Sequence, residues 1–282
     1  MKKTGILKSA LLALSLVGFL TTTASAQLRT LSGYSPSTLA ANDDGSTGLV
    51  NFGFSANFFG ATYNQAYINN NGNITFSSPL ETFTPFGLAG TDSIIIAPFF
   101  ADVDTRSVGS GLMTYGSGQL GGHNAFVVDW PHVGDYNYLQ IYNTFQLVLI
   151  DRSDIAAGDF DFEFNYTVVN WETGQASNGN SQGLGGSPVR IGYSSGGTNP
   201  TSFELTGSGI SGFFLDSNLV TGLIYNQYGI PFDGANMDGR YSFSVRNGTV
   251  IDGAVPEPST YGMIGAAALL VGVMIRRRFA KL

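Results

Sequence analysis

The chain has 282 residues, a formal net charge of −7, 12% charged residues and no cysteine. Six arginines and all 20 acidic residues lie between Gln27 and Pro258, so that stretch carries fourteen net negative charges and no lysine. A surface of that sign repels phosphate backbones and excludes nucleic acid as a partner, and the lack of thiols excludes disulfides, thiol catalysis and cysteine-bound zinc.

The first predicted element is a targeting segment. Lys2, Lys3 and Lys8 precede or enter an apolar run, Ala10–Leu20, and Ala24-Ser25-Ala26 follows as a small-x-small cleavage pattern. This is the layout of a secretory signal peptide over residues 1–26, a short N-terminal signal helix. Ala24 and Ala26 form the cleavage site, with Gln27 as the mature start.

The next 200 or so residues hold no sustained 3.6-residue apolar period. Period-2 runs recur instead, punctuated by Gly, Asn and Asp. Strands are predicted at 50–55, 66–68, 74–76, 93–100, 111–115, 125–130, 144–150, 160–166 continuing into 168–169, 190–193, 202–205 and 240–245. Asn69–Gly72 reads as a tight turn, because Asn and Gly both tolerate positive φ. The Gly/Asn/Ser-rich stretch 174–188 reads as a loop. The fold class is therefore all-β: a β-sandwich-like single ectodomain over 27–246, a linker at 247–254, and a tail at 255–282.

Several side chains in this body are candidates for chemistry. Asp159, Asp161 and Glu163 alternate with Phe160, Phe162 and Phe164. On a strand, residues i and i+2 share a face about 6.5–7 Å apart, so the phenylalanines enter the core and the carboxylates point outward. The stripe is either simply solvated or part of a calcium site, since hard cations take clustered carboxylate and carbonyl oxygens. Asp102 and Asp104, followed by Arg106, form a second i, i+2 pair where the apolar run 94–96 reaches a turn. They suit a local Asp–Arg pair or a cation site at the sandwich edge, to which Asp43-Asp44-Gly45 could add. No motif calls for any other cofactor. Tyr136, Tyr138 and Tyr142 suit either strand packing or stacking on sugar faces.

No catalytic constellation is organised. His123 and His132 are the chain's two histidines, and neither sits in a recognisable nucleophile or zinc motif. Glu163 and Glu172 could be imagined as a glycosidase pair, but carboxylate pairs are too common to carry that reading.

A family pattern runs through the same region. Ala97–Arg106 (APFFADVDTR) is followed by Phe126–Trp130, Asn143–Ile150, Phe160–Tyr166, Trp171–Gly174, Gly192–Ser194 and Gly212–Asp216. In that order, over roughly 45–245, these segments resemble the nidogen-like (NIDO) domain of extracellular-matrix and cell-surface proteins. The upstream Phe58–Gly60 and Asn69–Phe76 are similar to the usual lead-in. The resemblance implies cell–matrix adhesion and no catalytic residues. The cysteine-rich modules that accompany the domain in animal relatives have no counterpart in this cysteine-free chain.

The chain closes on Val255-Pro256-Glu257-Pro258, an apolar run 261–275, and Arg276-Arg277-Arg278. The prolines forbid helix continuation and leave an extended joint. At 1.5 Å per residue the run spans about 22–27 Å, a short C-terminal transmembrane helix. Its arginines belong on the cytoplasmic side. Motif, helix and arginine cluster resemble the PEP-CTERM sorting signal of Gram-negative bacteria. That resemblance implies processing by an exosortase, a membrane-anchored intermediate, and delivery to the cell surface or exopolysaccharide matrix. The expected function is thus a non-enzymatic exported protein that meets extracellular polysaccharide or surface proteins. The alternative is a carbohydrate-binding module or polysaccharide hydrolase of the matrix, as in a biofilm.

Overall fold

The computed structural model describes residues 27–137 and 140–251. The signal peptide, Tyr138 and the sorting residues Val255–Pro258 and Arg276–Arg278 lie outside the described residues. Fourteen strands are described: β1 (Ser37–Thr38), β2 (Val50–Phe58), β3 (Ala61–Asn69), β4 (Asn73–Thr75), β5 (Ile94–Phe100), β6 (Val103–Asp104), β7 (Thr114–Leu120), β8 (His123–Asp135), β9 (Tyr142–Asp151), β10 (Phe160–Val168), β11 (Arg190–Ser195), β12 (Ser202–Glu204), β13 (Arg240–Arg246) and β14 (Thr249–Ile251). Helix is limited to three single 3₁₀ turns, so among the described residues none is long and apolar enough to cross a membrane.

The strands form two sheets in a sandwich-like arrangement. One has the order β1-β7-β8-β9-β10-β13-β14, with β6 paired to β8; the other runs β12-β11-β5-β4-β3-β2. Every ladder is antiparallel. Phe160, Phe162 and Phe164 enter the core as their alternation predicts. Phe162 pairs with Phe243 across β10 and β13, their rings stacked at 4.7 Å. From the opposite sheet, Tyr193 meets Phe162 edge-on at 5.8 Å, so aromatic contacts join the two layers.

Both outer faces are also partly covered. Leu31, Tyr34, Leu120 and Phe232 pack over Ala125, Val127, Val148 and Ile150 of the larger sheet. Leu80 and Phe86 pack over Ile95, Ala97 and Phe100 of the smaller one. This is why β5 reads as a continuous apolar run rather than an alternating one: it is buried on both sides.

Most strands run past their predicted bounds, and two extensions change the sheet pairing. β8 was expected at 125–130 but runs to Asp135. Pro131 has no N–H for the ladder, and a one-residue bulge between Trp130 and Val133 absorbs it, with His132 at φ +54°. The continued strand pairs Asp135 with Val103 of β6. At the C-terminal end, Asn247-Gly248 turns the chain so that β14 pairs with β13, which extends the sheet into the stretch read as linker.

The Asn69–Gly72 turn joins β3 and β4 but is not at the surface. Asn69, Asn70, Asn71 and Asn73 are all buried. Trp130 Nε1 donates to the Asn70 carbonyl at 3.0 Å, and Asn71 Oδ1 accepts from the Val103 N–H at 2.9 Å. Gly72 has φ +71°, and a Cβ there would overlap the Phe99 carbonyl.

Candidate functional site

The buried turn is the floor of an acidic corner. Asn42 Oδ1 accepts from the Gly45 N–H at 2.6 Å, curling residues 42–45 into a tight loop. Asn70 Nδ2 donates to the carbonyls of Asp43 and Val103, and Asn71 Nδ2 donates to Asp44 Oδ1 at 2.9 Å. These amides hold Asp43 and Asp44 beside the β5–β6 connection that carries Asp102. One carboxylate oxygen from each of Asp43, Asp44 and Asp102 lies within 4.8 Å of the others.

The corner is crowded with like charge. Asp102 is 1% exposed, and its Oδ2 has no hydrogen-bond partner among the described residues. Burial first, then the Asp43, Asp44, Asp104 and Asp135 charges, push the Asp102 carboxyl up to about 8. Burial, with Asp44 and Asp104, pushes Asp43 up to about 6, against the pull of Arg106. Asp44 is also raised, chiefly by burial. The expected local Asp–Arg pair is present: Arg106 Nε and Nη2 donate to the two oxygens of Asp104 at 2.9 and 2.8 Å. The same Nη2 lies 2.8 Å from Asp43 Oδ2. Asp43-Asp44, noted in sequence as a weak addition, thus sits at the centre, and Asp104 is the member already neutralised. Oxygen donors of this kind suit a hard divalent cation and nothing softer.

The second predicted set behaves differently. Asp159, Asp161 and Glu163 were expected to point outward on a solvated stripe; instead all three are at most 3% exposed. Their side chains do leave the sandwich core, but arginines and the N-terminal segment cover them. Arg29 Nε and Nη2 grip the two oxygens of Glu163 at 2.8 Å each. Arg246 Nη1 lies 2.7 Å from Asp161, and Arg152 Nη1 donates to Asp161 at 2.9 Å. Asp159 Oδ1 accepts from the Asn247 N–H. Arg240 stands 3.6 Å from Glu163. Guanidinium groups already match this carboxylate ladder, so the calcium reading is not carried further on this face.

The enzyme candidates are likewise committed. Glu172 is fully buried and accepts the backbone N–H groups of Gly212 and Phe214, so it ties the 212–216 loop to the core. It does not share partners with Glu163. His132 stacks on Tyr142 at 4.0 Å, and Tyr142 Oη donates to the Val108 carbonyl. His123 Nδ1 lies 3.7 Å from Asp154 and meets Phe232 edge-on. Among the described residues neither imidazole hydrogen-bonds a serine hydroxyl. Sequence reasoning did not anticipate an open groove of about 290 Å³ lined by Phe213, Val220, Thr221, Asn226, Gln227 and Tyr228. The region 205–231 carries no periodic pattern, so nothing in the sequence marks it.

Two antiparallel sheets with partly covered outer faces define an all-β, sandwich-like module. The chain belongs to the NIDO-related family, whose model matches residues 18–212. The PEP-CTERM protein-sorting motif matches residues 254–278 and marks the chain as an exported protein processed by an exosortase. The chain is similar to alpha-tectorin of Mus musculus and of Homo sapiens, 33% identical to each over 195 residues, 59% of this chain and 8% of theirs. Alpha-tectorin of Gallus gallus is 29% identical over 246 residues, 79% of this chain and 10% of that protein. The chain thus spans about a tenth of the length of these relatives. No solved structure matches it.

Proposed function

We propose that this chain is a non-enzymatic surface or extracellular-matrix protein whose acidic β-sandwich contacts exopolysaccharide or neighbouring surface proteins. The observation that carries the reading is a NIDO-related domain at 18–212 and a PEP-CTERM motif at 254–278 in one chain. In this reading residues 1–26 direct export, and the apolar run 261–275 anchors an intermediate in the membrane with Arg276–Arg278 inside. Exosortase processing at the tail then passes the domain to the outer surface. The absence of an organised nucleophile and base among the described residues supports binding over turnover.

Cells producing the chain with and without residues 256–258 test the sorting step. The intact chain is expected in the surface or matrix fraction, and the deletion variant in the membrane fraction. Equal distribution of the two counts against the reading.

A second reading, a carbohydrate-binding module or hydrolase, is favoured by the groove at Phe213 and Tyr228. Its aromatic rings beside Asn226, Gln227 and Thr221 offer a sugar both a stacking face and hydrogen-bond partners. Binding to purified exopolysaccharide together with release of reducing ends would establish the hydrolase. Binding without release keeps the proposed non-enzymatic role.

A further inference from the structure

The acidic corner has properties that a solvated acidic patch does not share. Asp102 is 1% exposed, yet no donor among the described residues reaches its Oδ2. Asp43 Oδ1 is also buried without a partner. Buried carboxylate oxygens are nearly always satisfied, because leaving one without a partner forfeits its hydration with nothing in return. Gly174 leaves no slack on the other side: a Cβ there would collide with the Asp102 carboxylate. The Asp102 Oδ2 is therefore held by packing, while its backbone carbonyl accepts from the Tyr136 N–H at 3.1 Å.

We propose that Asp43, Asp44 and Asp102 bind one calcium ion. Calcium takes six to eight oxygens at about 2.3–2.6 Å, so two oxygens on opposite sides of one ion stand about 4.6–5.2 Å apart. The three carboxylate oxygens fall inside that limit, at no more than 4.8 Å from one another. The unpartnered oxygens of Asp102 and Asp43 supply donors that the protein itself leaves unused. Arg106 Nε and Nη2 are directed to Asp104 and to Asp43 Oδ2, not to the unpartnered Asp43 Oδ1. Asp104, Asp135 and Glu81 add negative potential around the site without being required as ligands. The ion would bridge the 42–45 loop to the β5–β6 connection. These segments are far apart in sequence and are already joined by the amides of Asn70 and Asn71, the Thr105–Asn42 hydrogen bonds and the Arg106–Asp43 ion pair.

The inference does not depend on the sorting tail or on a polysaccharide partner. It is tested on the full chain, purified in detergent and stripped with a chelator. Calorimetric titration with calcium chloride up to about 5 mM covers the affinity range of extracellular calcium modules. One equivalent is expected to bind, and the melting temperature to rise by several degrees, as for any ligand selective for the folded state. Asp102→Asn is expected to abolish the calcium response while melting no lower than the stripped wild type, since a neutral amide replaces a buried unpaired carboxylate. Asp44→Asn, at a half-buried position, is expected to weaken binding at least about tenfold. Asp92→Asn, an exposed acid on another loop, is expected to leave the response unchanged. No heat and no melting shift at the highest calcium concentration would overturn the proposal. So would a full calcium response in Asp102→Asn, or an equal response to magnesium.

Discussion

Arg29 stands two positions beyond the predicted mature start and closes a bidentate pair on Glu163, 134 residues further along the chain. The same guanidinium reaches Asp233 at 2.7 Å, and the Asp233 carboxyl is lowered. The Arg29 backbone exchanges hydrogen bonds with the Gln146 amide at 2.8 and 3.0 Å. The segment around Arg29 is thus a structural strap across the outer face of the larger sheet.

Removing the strap's charge should be costly. Arg29→Ala leaves Glu163 buried with only Arg240 nearby, at 3.6 Å. Breaking a buried pair from one side typically costs 3–5 kcal/mol, and the remaining arginine offsets part of it, so about 2–4 kcal/mol is expected. Urea denaturation of the single variants and of Arg29→Ala with Glu163→Gln measures it. The double variant should recover part of the loss, because position 163 no longer buries a carboxylate that has lost Arg29.

Gly72→Ala tests the buried turn. The position needs φ +71° and has no room for a Cβ beside the Phe99 carbonyl. Backbone strain and a steric clash together should cost about 3 kcal/mol or more. The near-ultraviolet signal of Trp130, which hydrogen-bonds this turn, should change with it.

Glu172 predicts a pH dependence. Burial holds its carboxyl above the ordinary 4.5, although two backbone N–H groups pull the other way. The folded state therefore keeps its proton to higher pH than the unfolded chain does. Its contribution is fully present below 4.5 and is lost as pH rises through the folded-state value. Glu172→Gln should flatten that part of the stability–pH curve. At pH 4 it should also destabilise the fold by about 1–3 kcal/mol, since the amide nitrogen faces a backbone N–H. An unchanged curve in the variant would contradict the assignment.

What the amino-acid order settled by itself was local. Alternation placed Phe160, Phe162 and Phe164 in the core, and the predicted runs at 93–100, 144–150, 190–193 and 240–245 each fall on an observed strand. Strand formation there needs only alternating or continuous apolar runs and the punctuation between them, both visible in a short window. The tail motif was legible for the same reason, since its parts are contiguous. What lay beyond that window was the fate of the polar groups. Asp159, Asp161 and Glu163 carry the same outward pattern whether water or guanidinium groups cover them, and their arginines come from distant segments. Likewise Asp43 and Asp44 become neighbours of Asp102 only when the Asn69–Gly72 turn is buried between them. Periodicity encodes which face a side chain takes. The partner that meets it there depends on long-range packing, and that the tertiary structure alone decided.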